Sequence, residues 1–442
     1  MTMHDRKRFW DPLYGRTELS PFEYAIICTP EVQRLRYIRM CNINSMLVTG
    51  ASEISRFEHS LGVLRLTQEW IDTHSSKIRN SDAVAFRAAA LLHDMQTGPF
   101  GHSFQYILED NKVLGDFAHD DISHGKEATY YQDLLANASF AGKPFNSRVL
   151  LGHHWPTVAS MIRGEGPYGP LISGSIDLDN IDNVIRLAYH VGIASSNDST
   201  VAVGIAKALQ PKDGDICVNS AAVTLIERWQ EIRHHLYEFL LLDWAEFSAK
   251  AMLTHAMELA VEYGLVGSDS WILTDDELLF SLERRGIGDA QDVANIVKRL
   301  RRGELYCPVG LFQTRKTSAY VANNKIENKR DLERQLAKFA REELKLHTNI
   351  LVHYILDKKK TDRAVEIIIA ESDERKIIGN NSDVLLIGVF SSTEPPNEYV
   401  GEKIAGKAMH LLKKSGLPDL KPLPDPLGNS VLRPAIEQLS LL

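Results

Sequence analysis

Several things that would sort this sequence quickly are scarce in it. Only four cysteines occur in 442 residues, Cys28, Cys41, Cys217 and Cys307, and no two of them form a CxxC pair. That spacing argues against a disulfide framework or a zinc knuckle and suits reduced thiols in a cytoplasmic protein. No apolar run is long enough to span a bilayer, and residues 1–10 are polar and basic with no apolar stretch behind them. Neither a membrane span nor a secretory leader is therefore expected. Positive charge is not in surplus either, since 50 Lys and Arg stand against 58 Asp and Glu, a net charge of −8. Broad, sequence-independent nucleic-acid binding is disfavoured on that balance. The basic runs "VKRLRR" (297–302) and "DKKKTDR" (357–363) keep a nuclease reading open, although such runs are usually solvated faces. No internal repeat is visible.

What is present is a globular chain too long for one typical core, which points to a large domain and a smaller one. From about residue 21 to 302 the apolar spacing is helical, with clear stretches at 82–94, 181–191, 221–263 and 289–302. Loops such as "GEGPYGP" (164–170) and "PKDGD" (211–215) separate them. After residue 308 the texture changes. Short β-rich runs at 349–356, 364–370 and 383–390 are flanked by helical segments at 331–346 and 402–413. The expected organisation is a helical domain over 1–306, a small α+β lobe over 307–415, and a Pro-rich extended or disordered tail over 416–442.

Chemistry first shows at "SRFEHSLGVLRL" (55–66), where His59 sits in the first turn of an amphipathic helix. A lone histidine there is usually a surface or hydrogen-bonded structural residue. About one helical hairpin later, "FRAAALLHDMQTGPFGHSF" (86–104) ends a helix of small residues in the adjacent pair His93–Asp94. That pair either hydrogen-bonds internally or points into a cleft and holds a metal, for which imidazole and carboxylate are common ligands. Further on, "SGSIDLDNIDNVIRL" (173–187) puts Asp177, Asp179 and Asp182 at the head of another helix, where an acidic residue also suits capping. The set His, His-Asp and Asp on three helices is more specific than its parts. It describes a pocket in which a divalent ion keeps open coordination positions.

On these residues the chain resembles the HD superfamily of metal-dependent phosphohydrolases. The words "TPEVQRLRYIRM", "GASEISRFEHSLGV", "HDMQTGPFGHSF", "IDLDNIDNVIRL" and "LRRGELYCPVG" narrow the resemblance to the deoxynucleoside triphosphate triphosphohydrolases, over roughly residues 8–310. The resemblance implies a mainly α fold, an HD-superfamily helical domain with a small C-terminal α+β lobe. It implies His59, His93, Asp94 and Asp179 as ligands of a divalent metal ion, with Mg, Mn, Co, Fe and Zn all open. It further implies Arg56 and Arg233 as phosphate-binding residues, and His124 and His102 as catalytic histidines beside Arg56. The substrate would be a nucleotide, with a homo-oligomer as the working form and a nucleotide as activator.

The departures from the family pattern all lie around the site. Thr97 stands where a histidine is usual, Gln105 where an aspartate supports the catalytic histidine, and Asn180 where a phosphate-binding lysine is common. Met40, Asn183, Leu187 and Leu241 occupy the positions at which the family reads the sugar, so Asn183 is the one polar candidate left there for binding substrate. Cys28 replaces an aspartate that reads a guanine activator, although Arg36 remains. Two alternatives to triphosphohydrolysis follow: a nucleotide phosphodiesterase or phosphatase using the same metal, and a nucleotide-sensing regulator with little turnover.

Overall fold

A computed structural model of the chain describes residues 7–41, 53–110, 113, 139–140, 143–212, 214–357 and 363–423. His124 lies outside the described residues, as do most of "DKKKTDR" and the tail from 424 onward. The fold is mainly helical with a small mixed lobe. An N-terminal hairpin of β1 (Lys7–Asp11) and β2 (Gly15–Leu19) opens it. The principal helices that follow are α1 (Arg56–Thr73), α2 (Asn80–Leu92), α3 (His102–Asp110) and α4 (Leu178–His190). After them come strands β3 (Gln210–Lys212) and β4 (Asp215–Val218), then α5 (Ala222–Leu242), α6 (Trp244–Glu262) and α7 (Gln291–Arg301).

Local chemistry explains most of these boundaries. Ser55 caps α1 by accepting from the Glu58 N–H at 3.2 Å, a standard use of a serine hydroxyl. Buried alanines at 85, 88, 89 and 90 let α2 lie close against its neighbours. The continuous helical pattern over 221–263 is broken in the structure. Asp243 leaves the helical region (φ −63°, ψ 124°) and caps α6 by accepting from Ala245 and Glu246 N–H at 3.0 Å each. A helical period carries no mark of such a break; a side chain satisfying orphan N–H groups does.

The lobe consists of β5 (Cys307–Thr314), α8 (Ile326–Glu343), β6 (Ile350–Leu356), β7 (Val365–Ile369), β8 (Glu374–Ile378), β9 (Leu385–Ser391), α9 (Glu398–Lys414) and β10 (Lys421–Pro422). One sheet runs β10-β5-β9-β6 and carries α8 and α9. The second sheet runs β8-β7-β4-β3, so the 365–378 hairpin joins the helical part of the chain. Its strand β7 pairs in parallel with β4, and Val365, Ile367 and Ile378 are buried in the same apolar cluster as α1, α2 and α4. A second cluster gathers α6, α7 and one face of β6 and β9, and a third lies within the lobe.

The lobe meets α6 through a buried charged group. Lys329, 2% exposed, pairs with Glu258, and Glu333 beside it accepts the Val352 N–H at 2.9 Å. Burial raises the Glu333 carboxyl from 4.5 to about 7, against the opposing pull of that hydrogen bond and of Lys329. The folded state therefore binds a proton that the unfolded chain has released between about pH 4.5 and 7. Stability falls as pH rises through that window, and the penalty is complete above it. Glu333→Gln keeps the acceptor for Val352 and removes the buried charge. Its melting temperature should exceed wild type at pH 8 and match it near pH 4.5, in thermal unfolding followed by circular dichroism. Equal shifts at both pH values would refute the assignment.

Candidate metal centre and cavity

Three segments converge on one point: the first turn of α1, the C-terminal end of α2 and the first turn of α4. The His93 Nδ1 lies 2.9 Å from the Ala90 carbonyl, which only accepts, so that nitrogen carries the proton and Nε2 offers a lone pair. His59 Nδ1 lies 2.7 Å from Asp182, and its Nε2 lies 2.9 Å from Asp179. The two Nε2 atoms are 3.2 Å apart. Asp94 Oδ2 is 3.6 Å from the His93 Nε2 and 4.0 Å from the His59 Nε2, while Asp179 Oδ1 is 3.7 Å from the former. One ligand atom from each of His59, His93 and Asp94 fits within 4.8 Å of the others.

A neutral His59 has one N–H for two carboxylates. Burial disfavours its charged form, yet Asp179 and Asp182 reverse that and push its pKa up to about 9. The group of acceptors at Nε2 thus demands a cation, either a proton or a metal ion. The donor set fits a divalent metal: two imidazoles whose far nitrogens are oriented by a carboxylate and a backbone carbonyl, plus two carboxylates. Three aspartates near the head of α4 are sorted by position. Asp177 caps the helix, accepting from Asn180 N–H at 2.7 Å and Gly174 N–H at 2.8 Å. Asp179 faces the imidazoles. Asp182 stands behind His59.

Asp182 is itself held. Arg186, fully buried, donates from Nε at 2.9 Å and Nη2 at 3.0 Å to Asp182, from Nη2 to Asp11 at 2.9 Å and from Nη1 to Glu58 at 2.8 Å. Burial alone would raise the Asp182 carboxyl, but Arg186 and His59 hold it down to about 2. Gly62 makes room for this, since a Cβ there would come within 2.2 Å of both Arg186 Nη2 and Asp182 Oδ1. On the other side, Arg56 Nη1 donates to both oxygens of Asp94 at 2.7 and 2.8 Å, and Thr97 Oγ1 donates to Oδ1 at 3.0 Å. Burial opposes the Asp94 charge, yet Arg56 and the two histidines hold its carboxyl well below the usual range.

The loop after His93–Asp94 is clamped from outside. Arg34 of "TPEVQRLRYIRM" donates to the carbonyls of Thr97 at 2.8 Å, Trp271 at 3.1 Å, Ile272 at 2.7 Å and Leu273 at 2.7 Å. Trp271 covers Gly98 so closely that a Cβ there would approach the indole to 2.6 Å. Phe100 then takes a positive φ of 54°, with its N–H donating to Asp275 at 2.8 Å. That turn starts α3 with His102, whose Nδ1 is 3.0 Å from Gln105 Oε1; Gln105 in turn donates to Glu109 at 2.7 Å.

These groups face a cavity of about 710 Å³ at the seam between the first two apolar clusters. Its walls include Arg56, His93, Asp94, His102, Asp179, Asn183 and Arg233, with Met40, Leu187 and Leu241 among them. Arg233 is buried and lies over the Tyr237 ring at 4.7 Å from its centroid. The Asn183 Oδ1 is buried without a hydrogen-bond partner among the described residues. Asn180 also lines the cavity, but its amide donates to Asp177 at 3.0 Å. Sequence reasoning missed Arg186, Tyr237, Lys250, Arg363 and Asn381. Arg186 and Tyr237 had a readable signal, their i,i+4 spacings from Asp182 and Arg233 on one helix each; Lys250, Arg363 and Asn381 had none, because long-range packing brings them in.

In comparison with known proteins, the model of the HD domain family matches residues 56–137. An uncharacterized protein of Bacillus subtilis, YwfO, is 25% identical over 269 residues, 58% of this chain and 57% of that one. A deoxynucleoside triphosphate triphosphohydrolase SAMHD1 homolog of Dictyostelium discoideum is 24% identical over 318 residues, covering 67% and 58%. The deoxynucleoside triphosphate triphosphohydrolase SAMHD1 of Xenopus laevis is 40% identical over 225 residues, 43% of this chain and 35% of that protein. The chain thus spans less than two thirds of the length of these relatives. A solved phosphohydrolase structure from Bacteroides thetaiotaomicron shares the fold, with a TM-score of 0.62 at 18% identity over 87% of this chain and 99% of that one.

Proposed function

We propose that this HD-domain chain is a metal-dependent nucleotide phosphohydrolase that cuts dNTPs at the α-phosphorus, releasing a deoxynucleoside and triphosphate. The observation that carries the reading is the acceptor-rich set His59, His93, Asp94 and Asp179, of which the last three line a cavity that also holds Arg56 and Arg233, with His59 buried directly behind them. A divalent ion held there supplies a bound water of lowered pKa and polarises a phosphoryl oxygen. The chain's own residues do the rest. Arg56 and Arg233 bind phosphate oxygens with planar, multiply donating guanidinium groups. His102, backed by Gln105 and Glu109, holds or delivers a proton at its cavity-facing side, and His124 is assigned the same chemistry. Asn183, on the same wall, is the polar side chain assigned to the sugar.

A homo-oligomer and a nucleotide activator belong to the same reading, although Cys28 removes one expected contact to a guanine activator. The apolar positions Met40, Leu187 and Leu241 favour a second reading, a phosphodiesterase or monophosphatase with the same metal site. A screen of all dNTPs and NTPs, alone and in pairs, with Mg²⁺, Mn²⁺ or Co²⁺ separates the two when products are resolved. Release of inorganic triphosphate supports the first, and orthophosphate or a nucleoside monophosphate alone supports the second. Tight nucleotide binding with no product from any substrate would defeat both.

Sugar selectivity follows from the same walls. Reading a hydroxyl needs buried polar partners, and a site built so rejects analogues lacking the group by roughly 10⁴–10⁵. Of the four positions at which the resemblance places the sugar contacts, Met40, Leu187 and Leu241 are buried and cannot supply them, which leaves Asn183 there. Comparing kcat/KM for one base as its ribo-, deoxy- and dideoxy-triphosphate should show discrimination below about a thousandfold. A larger preference for the deoxy form would mean that other residues read the sugar.

A further inference from the structure

One wall of the cavity comes from a part of the chain beyond the stretch whose motifs resemble phosphohydrolases. Arg363, Ala364 and Asn381 line the same cavity as His93, Asp94 and Asp179. They sit at the open ends of β7 and β8, and that hairpin is locked into the helical part of the molecule. The Gln230 amide donates to the Arg363 carbonyl at 2.8 Å, and the Ala364 N–H donates to the Asn381 side chain at 3.0 Å. Val365 and Ile367 are fully buried, and Arg375 pairs with both Glu366 of β7 and Asp215 of β4. The backbone beneath Arg363 is therefore held on both sides.

The Arg363 side chain is not held in the same way. Arg56 has Asp94, and Arg186 has three carboxylates. Among the described residues no carboxylate or carbonyl engages the Arg363 guanidinium. Its charge still reaches inward. Burial raises the Tyr237 hydroxyl, and Arg233 and Arg363 both act against that rise. An arginine of a cavity wall on a fixed backbone, with no acidic partner among the described residues, is suited to receive an anion.

We infer that Arg363 binds the polyphosphate of the nucleotide, so that the 363–381 hairpin is a substrate-holding arm of the cavity. The nature of the ligand rests on the phosphohydrolase reading; the anion-binding role rests on the geometry of Arg363. The test is calorimetric titration of the full chain and its R363Q and R363K variants with inorganic triphosphate and with the four deoxynucleosides. R363Q should weaken triphosphate binding roughly tenfold or more, R363K should recover part of the loss, and deoxynucleoside affinity should not change. Unchanged triphosphate affinity, or no triphosphate binding by wild type, overturns the inference. So does an equal loss for the deoxynucleosides, which would mark a purely structural role. If wild type releases no product from any nucleotide while R363Q still loses triphosphate affinity, the proposed function fails and this inference stands. Normal turnover by wild type with unaltered binding in R363Q gives the reverse.

Discussion

Replacing both His93 and Asp94 by alanine should leave protein purified without chelator free of bound metal and reduce hydrolysis by roughly three orders of magnitude or more. The pair provides two of the four groups around the His59–His93 contact, and His93 Nε2 is the nearest atom to the His59 Nε2 among them after Asp179. Of the proposed ligand set only His59 and Asp179 would then remain, too few to hold a divalent ion at working concentrations. Asp94 has a second duty as the counter-charge of buried Arg56, so the double variant also strands a cation. His93→Ala alone separates the two effects. It keeps the Arg56–Asp94 pair and should melt near wild type while still losing metal by elemental analysis. Full activity with full metal content in the double variant would dismiss the four-residue assignment.

Arg186→Met should cost about 3–5 kcal/mol of stability, the usual penalty when one partner of a buried ionic group is removed. The guanidinium meets Asp182, Asp11 and Glu58 with its side chain fully buried, and Asp182 and Asp11 are as deeply enclosed. Taking the cation away leaves two buried carboxylates facing each other across the space it filled. Methionine fills that space comparably and restores no hydrogen bond. Adding Asp182→Asn removes one stranded charge, so the double variant should lose less than the sum of the single losses. Chemical denaturation of the three variants measures both quantities. A stability for Arg186→Met within about 1 kcal/mol of wild type would show that the network carries little.

The spacing of His59, His93–Asp94 and Asp179 was legible in the sequence because each is tied to a local event. Two lie in first helical turns and one pair at a helix end, where period and capping chemistry are written in consecutive residues. The change from helical to alternating texture near residue 307 was legible for the same reason, and β5 begins at Cys307. The periods at 82–94 and 289–302 likewise correspond to α2 and α7 within a few residues.

Tertiary structure alone decided what these elements do to one another. Three aspartates at the head of α4 look alike in sequence; only packing against α1 makes one a cap, one a carboxylate facing the imidazoles and one the support of His59. Asp11 meets Arg186 across 175 residues, and a carboxylate of that hairpin has no local sign of its destination. The 365–378 hairpin reads as part of the C-terminal lobe, yet it completes a sheet begun at 210–218 and carries Arg363 to the cavity. Local sequence sets backbone preference and which face of an element is apolar. Which apolar faces meet is settled by the burial of the whole chain, and the polar groups carried on those faces converge only then.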